Sequence, residues 1–424
     1  MDLQIFPPED GFPQAAVSLP LSKSISNRAL IINALTPNAA PLSEVAICDD
    51  TEAIVRVLAD PTATEINIGA AGTSMRFLTA FYAATADGRT RLLDGSERMR
   101  RRPIGKLVDA LRQCGAEIDY AGEEGFPPLR ITGRQLTGGK IALSADTSSQ
   151  FVSALLMTGP LMEQGLELTL EGEIVSRPYI DMTLALMKNS GVECTVSHDG
   201  RTISVSHCDY TPTDIEVEAD WSAASYWFEI EALSYGDIRL KGLHRKSLQG
   251  DSRVAEIFAT FGIESDWEEN PGELTLQPTP DIASRLELDM SDVPDLTQTV
   301  AVTCCMTGIP FRLTGLQTLK IKETDRLEAL CTELRKLSFM VEADDSELVW
   351  PGIRIAQPSQ EGLPAFDTYN DHRMAMAFAP IALFVPGIVI RDAEVVSKSY
   401  PDYWKHLAEA GFRIEEYKQP GREE

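Results

Sequence analysis

Two acids and a recurring set of cations are the residues of this chain best placed to do chemistry. Glu323 lies in "IKETDRLEAL", between Lys322 and Asp325-Arg326, and Asp295 in "DVPDLTQT" follows Pro294 at the start of an apolar run. A carboxyl group held beside cations in a closed site is a natural proton carrier. Cations occupy comparable places at Lys23, Arg28, Arg76, Arg177, Lys322, Arg326, Arg373 and Lys398, and "RMRRRPIG" adds Arg98, Arg100, Arg101 and Arg102. Fixed guanidinium groups suit bidentate recognition of carboxylate and phosphate oxygens. The pattern predicts a small substrate with several negative charges. The chain as a whole carries 38 basic against 64 acidic residues, a net charge of −26. That balance disfavours nucleic acid and anionic membranes as partners, so a local cationic pocket stands out against it.

The elements that must position these groups repeat. A polar cluster followed by small and apolar residues recurs in "SKSISNRALIINAL" from Ser22, "GTSMRFLTAFYAA" from Gly72 and "TSSQFVSALLMTGP" from Thr147. It returns in "WSAASYWFEIEAL" from Trp221, "DLTQTVAVTCCMTG" from Asp295 and "NDHRMAMAFAPIALF" from Asn370. The intervals are 50, 75, 74, 74 and 75 residues, a repeat with a period near 75. In step with it run five amphipathic helices, each followed by a short strand. Gly115, Gly191, Gly262 and Gly411 stand where a left-handed cap is expected, and Ser338 takes that place in the fourth copy. The first repeat is short: Pro61 interrupts "TEAIVRVLADPTATEINIG" and the usual strand region is missing. Each repeat therefore predicts one solvent-facing helix and one helix apolar nearly all round, hence buried. Convergence of the buried helices' N-termini would make an anion site out of backbone N–H groups and helix dipoles.

Each feature also has a plainer reading. Serine or aspartate before an apolar run is most simply an N-cap. Arg100 and Arg101 can be solvated surface, His372 in "NDHRM" a hydrogen-bonded structural residue, and "KETDRLEALCTELRK" a charged helix. What favours chemistry is that the cations recur at one place in the repeat.

Other classes fail on inspection. Seven cysteines in mostly apolar stretches, without C-x-x-C, read as reduced thiols. Five scattered histidines without H-E-x-x-H predict no metal site. "GRQLTGGKI" departs from P-loop spacing, and neither G-x-G-x-x-G nor G-x-S-x-G occurs. "MDLQIFPPEDGF" has no basic or apolar leader region, and no apolar run approaches the roughly 20 residues of a membrane span. A soluble cytoplasmic enzyme is expected.

The segments "LPLSKSISNRAL", "AAGTSMR", "ERMRRRPIG", "SSQFVSALL", "VSRPYID", "SAASY", "VPDLTQT", "KETDRL", "YNDHRMAM" and "SKSYPDYW" occur in this order between about residues 15 and 412. In them the chain resembles the 5-enolpyruvylshikimate-3-phosphate synthases, which belong with the enolpyruvyl transferases. The resemblance implies an α/β fold of two similar domains. Each would contain three βαβαββ-type units around buried parallel helices, an inside-out α/β barrel, with the first unit truncated here. It further implies a discontinuous domain of residues 1–20 and 219–424, a second of residues 21–218, and an active site in the cleft between them that closes on ligand.

The implied reaction moves a carboxyvinyl group from phosphoenolpyruvate to the 5-hydroxyl of shikimate 3-phosphate and releases phosphate. Matched by motif, Lys23, Ser24, Arg28, Ser148, Ser149, Gln150, Ser176, Tyr179, Asp295 and Lys322 would hold shikimate 3-phosphate. Lys23, Gly72, Arg102, Gln150, Arg326, Arg373 and Lys398 would hold phosphoenolpyruvate. Addition needs a proton at C3 of phosphoenolpyruvate while the hydroxyl attacks C2, and elimination removes a C3 proton again. Glu323 would carry that proton, Asp295 would act as base toward the hydroxyl, and Lys23 or Lys398 could protonate the departing phosphate. No metal or organic cofactor is expected, and the family suggests a monomer.

Four residues depart from the family pattern: Leu21 in place of a small residue, Ala70 and Thr318 in place of asparagine, and Phe77 in place of proline. Two alternatives are weighed. A sister transferase acts on UDP-N-acetylglucosamine, but it lacks the "RPIG" and "NDHR" contexts and carries a reactive loop cysteine. A catalytically inactive anion-binding homologue could lose either acid, yet Lys23, Asp295, Glu323 and Arg373 are all retained.

Overall fold

The computed structural model describes residues 1–144, 148–268, 272–355 and 363–418. Two compact units are found: a discontinuous one, Met1–Pro20 with Glu218–Glu424, and a continuous one, Leu21–Val217. The former holds three four-stranded sheets and the latter two, and all five follow one plan.

The repeat beginning at Leu286 illustrates it. Strand Leu286–Asp289 pairs in parallel with Phe311–Thr314, and the buried helix Thr297–Thr307 makes the crossover between them. A second helix, Arg326–Arg335, leads to Glu342–Ala343 and Leu348–Trp350, an antiparallel pair whose latter strand docks on Phe311–Thr314. The spatial order is first, second, fourth, third. A parallel neighbour requires a crossover of a dozen or more residues, which the buried helix supplies.

Two sheets of the discontinuous unit borrow strands from the N-terminus. Gln14–Ser18 serves as first strand beside Asp237–Lys241, in parallel. Leu3–Phe6 serves as fourth strand between Ile388–Ile390 and Arg413–Glu416. These pairings explain why the first twenty residues belong to a unit that resumes some two hundred residues later.

The short repeat consists of helices Lys23–Leu35 and Asp49–Ala59, with no sheet of its own among the described residues. After the second helix the chain turns at Pro61, whose carbonyl accepts hydrogen bonds from Arg89 Nη1 at 2.9 Å and Arg91 Nη2 at 3.3 Å. It then enters Glu65–Asn67, already the first strand of the next repeat. The left-handed caps fall where the spacing predicts: φ is 97°, 84° and 98° at Gly115, Gly191 and Gly411, and 71° at Ser338. Proline suits the first position of a helix, so "RRPIG" in the sequence predicts a helix opening at Pro103, and that expectation fails. Pro103 does not open a helix, because Arg102 and Ile104 hold non-helical backbone around it and the helix starts at Gly105. Thr147, an anchor of the repeat, lies outside the described residues.

Each unit packs three apolar helices into its core. Trp221–Ser234, Thr297–Thr307 and His372–Phe378 touch one another in the discontinuous unit; Lys23–Leu35, Gly72–Ala84 and Ser149–Thr158 do so in the continuous one. Their first turns meet. Arg373 Nη2 lies 3.0 Å from Asp295 and 3.4 Å from Ser222 Oγ, and Gln150 Nε2 donates to Thr73 Oγ1 at 3.2 Å. Helices that pack along their lengths with N-termini together run in one sense, so their dipoles add at that end. N-cap hydroxyls and carboxylates reinforce it: Ser22, Ser148, Asp220 and Asp371 each accept a backbone N–H of the first turn, worth about 1 kcal/mol apiece. No helix among the described residues is long and apolar enough to cross a membrane.

Every residue of Trp221–Ser234 except Ser222 is buried, Glu229 included. Neither carboxyl oxygen of Glu229 has a hydrogen-bond partner among the described residues, and burial raises its pKa well above the usual value. Its acid form is therefore the folded one. Above pH ~4.3 the unfolded chain ionises this group while the fold keeps it neutral, so stability falls as pH rises, by about 1.4 kcal/mol per unit until the folded pKa is reached. Glu229→Met should raise the melting temperature over the parent by more at pH 8 than at pH 5. Equal shifts at both pH values would contradict this assignment.

Candidate active site

In the discontinuous unit, six of the sequence-identified residues form one charged cluster. Asp295 sits in the 3₁₀ turn Pro294–Leu296 that precedes its buried helix, and Lys322 and Glu323 lie in the link before helix Arg326–Arg335. Asp325 caps that helix through the Leu327 and Glu328 N–H groups, which leaves Arg326 as its first residue. A cation at a helix N-terminus opposes the dipole, and this one is compensated by three carboxylates. Arg326 Nη1 reaches Asp295 at 2.8 Å, Nη2 reaches Glu323 at 3.0 Å and Nε reaches Asp371 at 2.7 Å. Its side chain is only 2% exposed.

The two candidate acids are gripped from other sides too. Glu323 Oε1 lies 3.0 Å from Lys398 Nζ, which enters from the 3₁₀ turn Ala393–Lys398. Asp295 Oδ2 lies 3.0 Å from Arg373 Nη2, and its Oδ1 is 3.8 Å from Lys322 Nζ. Burial works to raise the Asp295 carboxyl, but Arg373, Lys322 and Arg326 outweigh it and hold it well below the usual carboxylate range. Burial lowers the Lys322 ammonium, against the pull of Asp295. Behind Arg373 stand Tyr226, whose hydroxyl is 3.4 Å from Nη1, and Ser222, which hydrogen-bonds to Asp251. Asp251 is pushed up to about 7 by burial and by the charge of Asp295. Lys322, Arg326, Arg373 and Lys398 thus face Asp295, Glu323 and Asp371, an arrangement of alternating sign with one positive charge in excess.

In the continuous unit the candidates gather around the three helix N-termini in smaller groups. Lys23 opens its helix and lies 3.7 Å from Asp50. Arg28, one turn on, is 2% exposed and takes only neutral partners, including the backbone carbonyls of Ser24 and Tyr179. Burial brings its guanidinium down to about 10. Gly72 is the first residue of its helix, and a Cβ added there would stand 2.4 Å from Arg102 Nη1. Any larger residue there would make the Arg102 guanidinium shift. Arg76 donates to the carbonyls of Gly72 and Pro103, which ties the arginine-rich turn to the helix. Ser148 caps the helix that begins Ser149-Gln150. Ser176, the N-cap of helix Arg177–Asn189, is buried with φ of 57°, left-handed for a non-glycine residue, and such strain clusters at functional sites.

Other candidates fall elsewhere. Arg177 is occupied on its own helix by Asp181 at 2.7 Å and the Gly200 carbonyl at 2.8 Å. Arg100 and Arg101 pair on the surface with Asp94 and Glu97. His372 is buried, its Nδ1 3.6 Å from Asp371. Sequence reasoning missed Asp371, Asp50 and Asp251. Asp371 had a local signal, an aspartate in the N-cap place before "HRMAMAF"; the other two acquire meaning only through tertiary neighbours.

The family model described as EPSP synthase (3-phosphoshikimate 1-carboxyvinyltransferase) matches residues 56–407. The 3-phosphoshikimate 1-carboxyvinyltransferase of Bacteroides fragilis (strain YCH46) is 51% identical over 403 residues, covering 95% of this chain and 96% of that protein. That of Shewanella woodyi is 36% identical, covering 93% of this chain and 96% of its own. Among solved structures, EPSP synthase from Acinetobacter baumannii superposes with a TM-score of 0.74 at 20% identity, over 98% of this chain and 100% of that one. The enolpyruvyl transferase NikO from Streptomyces tendae gives 0.74 at 15%, over 99% of each. At such identities these two speak for the fold, which is α/β with two domains. With the family model spanning most of the chain and a relative sharing half its residues, the chain belongs to the EPSP synthase family.

Proposed function

We propose that the chain transfers the carboxyvinyl group of phosphoenolpyruvate to the 5-hydroxyl of shikimate 3-phosphate, giving 5-enolpyruvylshikimate 3-phosphate and phosphate. This is the transferase step of the shikimate pathway toward chorismate and the aromatic amino acids. The observation that carries it is Glu323, an acid held between Arg326 and Lys398 at 3.0 Å from each. A proton carrier bracketed by anion-binding cations is what a vinyl phosphate ester bearing a carboxylate requires.

In this reading Arg326, Arg373, Lys398, Arg102, Gly72, Gln150 and Lys23 hold phosphoenolpyruvate. Ser24, Arg28, Ser148, Ser149, Gln150, Ser176, Tyr179, Lys322, Asp295 and Lys23 hold shikimate 3-phosphate. Glu323 delivers a proton to C3 and later removes one, while the phosphate leaves toward the cations. Asp295 begins as a deeply ionised carboxylate and hence a weak base. Anions bound to Arg373, Lys322 and Arg326 draw on the cations that hold it down, so its proton affinity rises once substrate is present. The base toward the 5-hydroxyl is thereby strengthened in the complex. The protein works as a cytoplasmic monomer in this account, on small-molecule substrates alone and without cofactor. Incubation with both substrates, followed by mass spectrometry, should reveal the enol ether of shikimate 3-phosphate; recovery of unchanged shikimate 3-phosphate would refute the proposal.

A further inference from the structure

Arg28 presents an unusual electrostatic situation within the continuous unit. It is buried, and no carboxylate lies within ion-pair distance of it among the described residues. A buried cation is normally compensated by a partner of opposite charge. Here neutral groups surround it. Nε donates to Thr183 Oγ1 at 2.8 Å, Nη2 to Ser153 Oγ at 3.1 Å and to the Tyr179 carbonyl at 3.3 Å, and Nη1 to the Ser24 carbonyl at 2.8 Å. The ring of Phe77 lies 5.4 Å from the guanidinium carbon and that of Tyr179 5.8 Å.

The hydroxyl protons can be assigned without conflict. Thr183 donates to the Tyr179 carbonyl at 2.8 Å and accepts from Arg28; Ser153 donates to Thr183 at 2.8 Å and accepts from Arg28. Four of the five guanidinium N–H bonds are thereby used, and one, on Nη1, remains. Each hydroxyl comes from a different helix, Thr183 from Arg177–Asn189 and Ser153 from Ser149–Thr158.

We propose that Thr183 and Ser153 are positioning residues for Arg28: two neutral hydroxyls fix the guanidinium edge so that its remaining Nη1 face meets an anionic or hydroxyl group of shikimate 3-phosphate with its charge uncompensated by protein. A carboxylate in their place would orient the arginine equally well and cancel the charge the substrate is to meet. The inference rests on the reading of Arg28 as a shikimate 3-phosphate ligand.

Thr183→Val keeps the side-chain shape and removes the hydroxyl, leaving Nε–H unpaired and Arg28 free to turn. The KM for shikimate 3-phosphate should rise roughly 10- to 100-fold, the range for losing a hydrogen bond to a charged group. The KM for phosphoenolpyruvate and kcat should stay within about threefold. Thr183→Ser should restore the parent value, and Ser153→Ala should reproduce the shift in weaker form. A folded Thr183→Val with the parent KM for shikimate 3-phosphate, or a uniform loss of kcat and both KM values, would overturn the inference. Should Thr183→Val fail to fold, Ser153→Ala decides by the same criterion. A parent protein that turns over neither substrate would instead sink the underlying reading.

Discussion

Glu323→Gln should lower kcat by about two to four orders of magnitude, the usual contribution of a positioned acid or base, while both KM values move by less than about fivefold. Glutamine preserves the shape and one acceptor, so it can still accept from Arg326 Nη2 or face Lys398 Nζ, each now 3.0 Å from the carboxylate. What it cannot do is carry a proton to C3 and take one back. A loss in kcat and kcat/KM alike identifies an interaction that operates in the transition state. If instead the KM for phosphoenolpyruvate rose and kcat survived, Glu323 would serve to space Lys398 and Arg326. Unchanged turnover would remove it from the chemistry.

The second large effect is expected at Arg326. Its guanidinium serves Asp371, Asp295 and Glu323 at once, at 2.7, 2.8 and 3.0 Å. The ammonium of Arg326→Lys has no planar fork and cannot satisfy three carboxylates in different directions. Breaking a buried ion pair of this kind costs about 3–5 kcal/mol, and the urea midpoint should fall accordingly. Activity should fall at least about a hundredfold, since the candidate proton carrier and both neighbouring acids lose their fixed partner. The pH profile supplies a sharper reading. Asp295 is depressed in the fold, so its contribution to stability is present above the unfolded pKa and lost as pH falls through the folded one. Lysine keeps the charge but, shorter and without the fork, cannot hold it against Asp295 as Arg326 Nη1 does, so the depression weakens, the folded value rises and acid inactivation should begin at higher pH in the variant. A variant with the parent's acid limb would show that Arg326 does not set the state of Asp295.

Much of this was legible in the residues because the repeat places like groups at like positions. Ser22 and Ser148 cap helices, Ser338 turns left-handed where its sister glycines do, and Asp295, Glu323, Lys398 and Arg373 meet. Local rules suffice for caps and buried helices, since a cap acts within its own first turn. They cannot supply what depends on distant pairing. Leu3–Phe6 alternates in burial like any half-covered strand, yet its partners are Ile388–Ile390 and Arg413–Glu416. Asp371 is forty-five residues from Arg326, and Thr183 is an ordinary helical threonine until Arg28 is seen to lean on it. Arg177 shows the converse: it opens a helix in a recurrent position and spends its donors on Asp181 and Gly200.

The most direct measurement is phosphate release by the purified protein with each substrate alone, with both together, and with UDP-N-acetylglucosamine replacing shikimate 3-phosphate. Release that requires phosphoenolpyruvate and shikimate 3-phosphate together is the predicted result. Release with the nucleotide sugar, or no release under any condition, would contradict the account.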